Sequence, residues 1–174
     1  MAKTHSYEVS IVIPQPAENV WQLLSRDYGR VQDYADQIIA SRYVEGHIKG
    51  SEGCERICDL NKSGTRYLRE QMVEVDDEGM QYTNVLTGAT GIPLVPLVSR
   101  TVFSVRRIDA ASCTLRAAST VQTRPAFLAL LLRGSFRKSM KDYLLSVSHH
   151  LRTGQSVHAG QIKAIRRAHS HPAV

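Results

Sequence analysis

The chain has 174 residues, 43% of them hydrophobic and 22% charged, the composition of one globular domain large enough to bury its own core. Its longest strongly apolar run, residues 127–132, is far shorter than the roughly 20 residues a membrane-spanning helix needs, and its opening residues lack the charged-then-apolar pattern of a secretory leader, so a soluble cytoplasmic protein is expected. The net charge of +6 is uneven: residues 1–124 carry 14 Lys/Arg against 15 Asp/Glu, whereas residues 125–174 carry 8 Lys/Arg and Asp142 as their one acid.

Residues 6–13 alternate, with Val9, Ile11 and Ile13 on one face, which predicts a half-buried strand. Pro14 and Pro16 end it. A short helix over 17–24 follows, with Val20, Leu23 and Leu24 facing inward. Asp27-Tyr28-Gly29 breaks that helix, and a second short one is expected over 30–37. Residues 40–47, 54–60, 66–75 and 80–87 read as strands. The turn sequences around Gly50–Gly53, Asn61–Gly64 and Asp76–Gly79 separate them. Residues 88–96, with two glycines and two prolines, read as an irregular loop and as a candidate gate over a cavity. Residues 98–107 and 113–122 are two further strands. After Pro125 the period changes to that of a helix: Phe136, Met140, Tyr143, Leu144, Val147 and Leu151 recur at three- and four-residue steps, predicting one long amphipathic helix over 126–152 with a stop at Gly154. Residues 154–174 lack a long apolar face and are expected to form a basic, flexible tail after a domain spanning residues 1–153.

Hairpin turns between most strands imply an antiparallel sheet, and one long helix with one apolar face implies that the sheet curls around it, an α+β arrangement. At this point four short motifs fall in order. They are Ile13-Pro14-Gln15-Pro16-Ala17-Glu18-Asn19-Val20-Trp21, then Asp27-Tyr28-Gly29 with Tyr34, then Gly53-Cys54-Glu55-Arg56, then Glu70-Gln71-Met72 with Asp76. Together with this strand and helix succession the sequence resembles the START-like (SRPBCC) helix-grip superfamily, of the polyketide cyclase/dehydrase and lipid-transport type. The resemblance covers residues 6–152. It implies a curved antiparallel sheet of about seven strands wrapped around a long C-terminal helix, with two short helices after the first strand. The superfamily's frequent Trp-x-Pro is here Tyr34-Ala35-Asp36, and a Trp late in the penultimate strand is missing.

A sheet curled around one helix leaves a cavity where facing side chains do not fill the space, and such cavities are default ligand sites. The candidate lining residues are Leu24, Tyr34, Arg56, Glu70, Met72, Tyr82, Phe103, Phe127, Leu131 and Phe136. Arg56 and Glu70 are the best polar candidates, because they lie on adjacent strands and a guanidinium fork can orient a carbonyl, phenolate or carboxylate. Cys54, Arg56 and Cys58 share a strand face, and cysteine is often buried, which tilts Arg56 inward or places all three under the sheet's other cover. Three cysteines argue against a disulfide framework. No catalytic triad, phosphate loop or metal-binding motif is visible. His149 and His150 are adjacent on the helix and point about 100° apart, so no metal and no cofactor are expected.

The leading expectation is a binder of a small hydrophobic molecule (lipid, quinone or polyketide-like) in the cavity between sheet and helix. The alternatives are a polyketide aromatase/cyclase or dehydratase working in the same cavity, and a partner-binding module whose cavity is filled. The basic C-terminal segment suits peripheral contact with an anionic membrane. A nucleic-acid role is disfavoured, since no aromatic interleaves the cations after Tyr143. Self-association into a homodimer is left open.

Overall fold

The computed structural model describes residues 4–158 and 160–170. Seven strands form one antiparallel sheet: β1 (His5–Ile13), β2 (Ala40–Tyr43), β3 (Glu55–Asp59), β4 (Tyr67–Asp76), β5 (Gln81–Thr90), β6 (Arg100–Arg107) and β7 (Cys113–Val121). Their order across the sheet is β1-β7-β6-β5-β4-β3-β2. Consecutive strands from β2 to β7 are therefore neighbours, joined by the turns read from the sequence, and β1 closes the far edge against β7. Alternation along β1 and β7 puts Val9, Ile11, Ile13, Leu115 and Ala117 on the buried face, as a two-residue period requires.

Between β1 and β2 the chain forms α1 (Ala17–Trp21), a π-helical turn (Gln22–Arg26) and a 3₁₀ segment (Tyr28–Asp33). The second short helix thus begins earlier than the expected 30–37 and ends at Asp33. Gly29 explains the tight passage, because the Tyr43 ring lies where its Cβ would be. Gly50 is the other required glycine. Its φ is +67°, and an added Cβ would meet the Arg26 carbonyl oxygen at 2.7 Å. β2 stops at Tyr43, short of the expected residue 47, and β5 runs on to Thr90, so the irregular loop spans residues 91–99.

The helix expected over 126–152 is broken in two. α2 (Leu128–Leu131) and α3 (Arg133–Thr153) meet at Leu132, whose φ of −90° and ψ of 0° leave the helical region. Before the break the turns are tight, with Leu128, Ala129 and Leu130 bonded to carbonyls three residues back, and Gly134 adds a poor helix former beside it. α3 ends where expected: Gly154 is left-handed, at φ +68°, and its N–H bonds the His150 carbonyl at 2.8 Å.

The segment after Gly154 departs from the expected flexible tail. It carries α4 (Ile162–Ser170), packed on α3 with Val157 and Ile165 buried. Arg166 grips the buried Asp142 of α3 with both Nε and Nη2, and the Val157 N–H bonds the Asp33 carbonyl at 3.0 Å. Sparse apolar residues suffice here because an ion pair and a backbone bond supplement them. His171, the last histidine of the tail, lies outside the described residues.

One half of α3 seats on the sheet. Its buried residues begin at Asp142 and include Leu144, Leu145 and Val147, which pack against β1. At the other end of the sheet the core is aromatic. Trp21 and Tyr28 both pack on Tyr82, which contacts Phe103 at 5.4 Å between centroids. Phe103 leads on to Tyr143, Tyr143 to Tyr34, and Tyr34 to His150.

Candidate ligand cavity

The N-terminal half of α3, residues 133–141, is exposed or half-buried, so it stands off the sheet. Beneath it lies a cavity of about 300 Å³, lined from β3, β4, β5 and β6, from residues 35–38, from Ile92, Pro93 and Leu94, and from Phe136, Met140 and Tyr143 of α3. Its wall is mostly apolar. The loop expected to be a gate is a pinned wall: Leu94 pairs with Thr123, the Val95 N–H bonds the Gln122 carbonyl, and the Arg124 N–H bonds the Pro93 carbonyl.

The polar part of the wall is built on β3 and β4. Arg56 and Glu70 are directly opposite in the strand register, both on the concave face, so their side chains must meet. Arg56 Nε and Nη2 donate to Glu70 Oε2 at 3.0 and 2.8 Å, and Nη1 donates to the Tyr28 carbonyl at 2.6 Å. The guanidinium also stacks 3.9 Å from the Tyr28 ring centroid. Arg56 is 4% exposed and the Glu70 side chain 18%. The pair is thus an internal ion pair with one side open to the cavity. Tyr28 Oη donates to Asn84 Oδ1, which leaves the Asn84 amide N–H groups as donors on the cavity wall.

Burial sets the protonation of the neighbours. It pushes the Cys58 thiol up to about 12, against the opposing pull of Arg56, so the thiol is neutral and inert. Burial likewise raises the Tyr28, Tyr34, Tyr82 and Tyr143 hydroxyls above the ordinary phenol range, so each is a neutral donor at pH 7. The Tyr143 hydroxyl is buried and has no hydrogen-bond partner among the described residues, and the same holds for Asp36 Oδ1. Both residues line the cavity. Burial first, and then the charge of Asp142, hold the Asp36 carboxyl above its usual range. A buried polar atom without a partner is rare in folded proteins and marks a position where a ligand or water completes the bonding.

Four of the ten residues expected from sequence line the cavity: Arg56, Glu70, Phe103 and Phe136. Leu24, Tyr34, Met72 and Tyr82 are fully buried in the core, off the cavity wall. Tyr34 is turned away, its ring against Tyr143 and His150 and its hydroxyl toward the Leu23 carbonyl. Phe127 and Leu131 point outward, 63% and 70% exposed, because the break at Leu132 takes α2 out of the phase of α3. Asn84, Asp36 and Tyr143 were missed. Asn84 was within reach of strand parity, being two residues from Tyr82 and from Leu86 on the same face. Among the described residues no group of three or more His, Cys, Asp or Glu could hold a metal ion, and no helix is long and apolar enough to cross a membrane.

No protein-family model and no curated protein matches the chain. Solved structures do. The crystal structure of Ara h 8.0201 superposes with a TM-score of 0.68 at 15% identity, over 87% of this chain and 99% of that one. A protein from Thermobifida fusca solved by solution NMR gives 0.65 at 19% identity, over 88% and 98%. Norcoclaurine synthase from Thalictrum flavum, in complex with dopamine and hydroxybenzaldehyde, gives 0.61 at 13% identity, over 88% and 90%. These neighbours are Bet v 1-like, and the chain has the helix-grip fold they share, the fold that the sequence resemblance implied.

Proposed function

We propose that this protein binds a small hydrophobic molecule carrying one hydrogen-bonding oxygen, with its apolar body under α3 and its oxygen at Tyr143 and Asn84. The observation that carries this reading is Tyr143, which lines a largely apolar cavity of about 300 Å³ and whose buried hydroxyl has no hydrogen-bond partner among the described residues. A neutral donor with nothing to donate to favours a carbonyl, hydroxyl or phenol oxygen. The Arg56 guanidinium is already bonded to Glu70 and Tyr28, so it shapes the wall and supplies positive potential without needing an anionic ligand. The volume suits a ring system or a short prenyl or acyl chain and lies at the small end of ligand pockets. Among the neighbours, norcoclaurine synthase is recorded with two small phenolic molecules, which accords with this size class.

Carrier and enzyme share this geometry. The carrier reading is favoured because Tyr34 is off the wall and Arg56 is locked, leaving few free groups for acid–base work. The cyclase or dehydratase alternative draws on Glu70 and Tyr143, which face the same cavity. The test is mass spectrometry of organic extracts of the purified native chain beside its Leu68→Trp variant, which fills the cavity from β4. A stoichiometric apolar species present in the native protein and absent from a folded Leu68→Trp sustains the reading. A species retained equally by both places it elsewhere and overturns the cavity assignment.

A further inference from the structure

Two exposed apolar segments flank the cavity wall. In α2 and the residue before it, Phe127 and Leu130 are each 63% exposed and Leu131 is 70% exposed; in the β5–β6 loop Leu97 is 76% exposed. The two segments are stitched side by side. Leu94 bridges Thr123, the Arg124 N–H bonds the Pro93 carbonyl, and the Gln122 carbonyl accepts from the Val95 N–H and the Ser99 hydroxyl. Their exposed apolar side chains therefore lie on two segments joined at their bases. A buried packing role is ruled out by exposure this high, and a monomeric surface rarely spends several large apolar side chains in one place without use.

The charge of the chain that builds these segments has nearly one sign. Between residues 79 and 141 the only acid is Asp109, in the turn at the opposite end of β6. Arg124, Arg133 and Arg137 are exposed and, among the described residues, form no ion pair. Projecting Phe and Leu ringed by free arginines match the two layers of a lipid surface, phosphates outside and acyl chains within.

We propose that the face formed by α2 and the β5–β6 loop docks on an anionic lipid bilayer, with Phe127, Leu130, Leu131 and Leu97 entering the interface and Arg124, Arg133 and Arg137 meeting lipid phosphates. The β5–β6 loop carries Ile92 and Leu94 on the cavity wall, and Phe136, in the first turn of α3 just after α2, lies there too, so docking brings the cavity to the bilayer and a hydrophobic molecule could pass between them without crossing water. The docking itself uses side chains outside the cavity and does not depend on what the cavity holds.

The test is sedimentation of the full chain with phosphatidylcholine vesicles, with and without phosphatidylglycerol, at low and high ionic strength. Binding is expected only with phosphatidylglycerol and is expected to fall as salt rises. Phe127→Ser/Leu131→Ser, by removing inserted apolar area, and Arg133→Glu/Arg137→Glu, by reversing two cations near the surface, are each expected to weaken it by about tenfold or more. Lys49→Glu/Arg106→Glu alters the net charge equally at the other end of the sheet and is expected to change binding by no more than about twofold. Thermal melts confirm that each variant folds, and Phe127→Trp adds an independent readout over the native Trp21 background: blue-shifted emission, quenched by brominated acyl chains. Ligand retention in extracts should be unaltered in both face variants, which separates this result from the fate of the cavity reading. No binding at low salt, equal binding to neutral vesicles, equal loss in the Lys49/Arg106 control, or unshifted emission from the bound Phe127→Trp variant would each overturn the proposal.

Discussion

Replacing Arg56 with Met should be among the most destabilising single changes on the cavity wall. The variant removes three hydrogen bonds, two to Glu70 and one to the Tyr28 carbonyl, and keeps an apolar stem of similar length. Breaking a buried ion pair from one side costs about 3–5 kcal/mol because a charge is left without its partner. Glu70 retains 18% exposure, which sets the expectation at the lower end, about 3 kcal/mol, and the orphaned Tyr28 carbonyl adds about 1 kcal/mol. Urea unfolding at pH 7 would read the total as a lower midpoint at unchanged slope. Arg56→Met/Glu70→Leu removes both charges and should recover most of the loss, since an apolar pair of matched shape often replaces a buried ion pair at little cost. A single-variant cost below about 1 kcal/mol at pH 7, or no recovery in the double variant, would refute the account of Arg56 as a committed internal cation.

Other outcomes follow from the same wall. Tyr143→Phe deletes a buried hydroxyl that has no protein partner among the described residues, so thermal stability should be unchanged or raised, by up to about 1 kcal/mol, while the extracted ligand is retained less well. Asp36→Asn should raise the melting temperature at pH 7, because burial and Asp142 hold the Asp36 carboxyl above its ordinary range and its charged form is disfavoured when folded. The sign fixes the window: that cost is present above the raised value and disappears below it, so the gain of the variant should vanish in acid when melts are repeated. Cys54, Cys58 and Cys113 are all buried, and Cys58 is pushed up to about 12. Iodoacetamide at pH 8 should leave native protein unmodified and add three groups after denaturation, as intact mass would show.

Much of the fold was legible because antiparallel neighbours are encoded locally. Each turn sequence joins two strands that end up adjacent, and two-residue alternation chose the buried face of β1. Parity also turned Arg56 inward beside Cys54 and Cys58, and adjacency of the strands brought it to Glu70. What the sequence did not reveal depends on distances across the core. Met72 and Tyr82 have the right parity for the cavity, but both are fully buried, Tyr82 beneath Trp21 and Tyr28, so they pack, and Leu68 and Leu86 line. The helical period read from Phe136 to Leu151 lies wholly in α3, past the break at Leu132, so it carried no information on how the chain enters that helix. The docking of α4 rests on Arg166 meeting Asp142, a pairing 24 residues apart that no local pattern announces.

The chain of rings through the core gives the protein an optical reporter of its own. Trp21 is the only tryptophan; its indole N–H is fixed on Asp77 at 3.0 Å, and its ring is 6.0 Å from Tyr82. Tyr82 touches Phe103, and Phe103 touches Tyr143, the last two of which border the cavity. Light absorbed by the tyrosines can therefore migrate to a single emitter held in one orientation. A guest that reorients Phe103 or Tyr143 alters that transfer without touching the emitter. Excitation spectra of the unlabelled protein, recorded as a ligand library is added, would register occupancy directly, with no dye competing for the space.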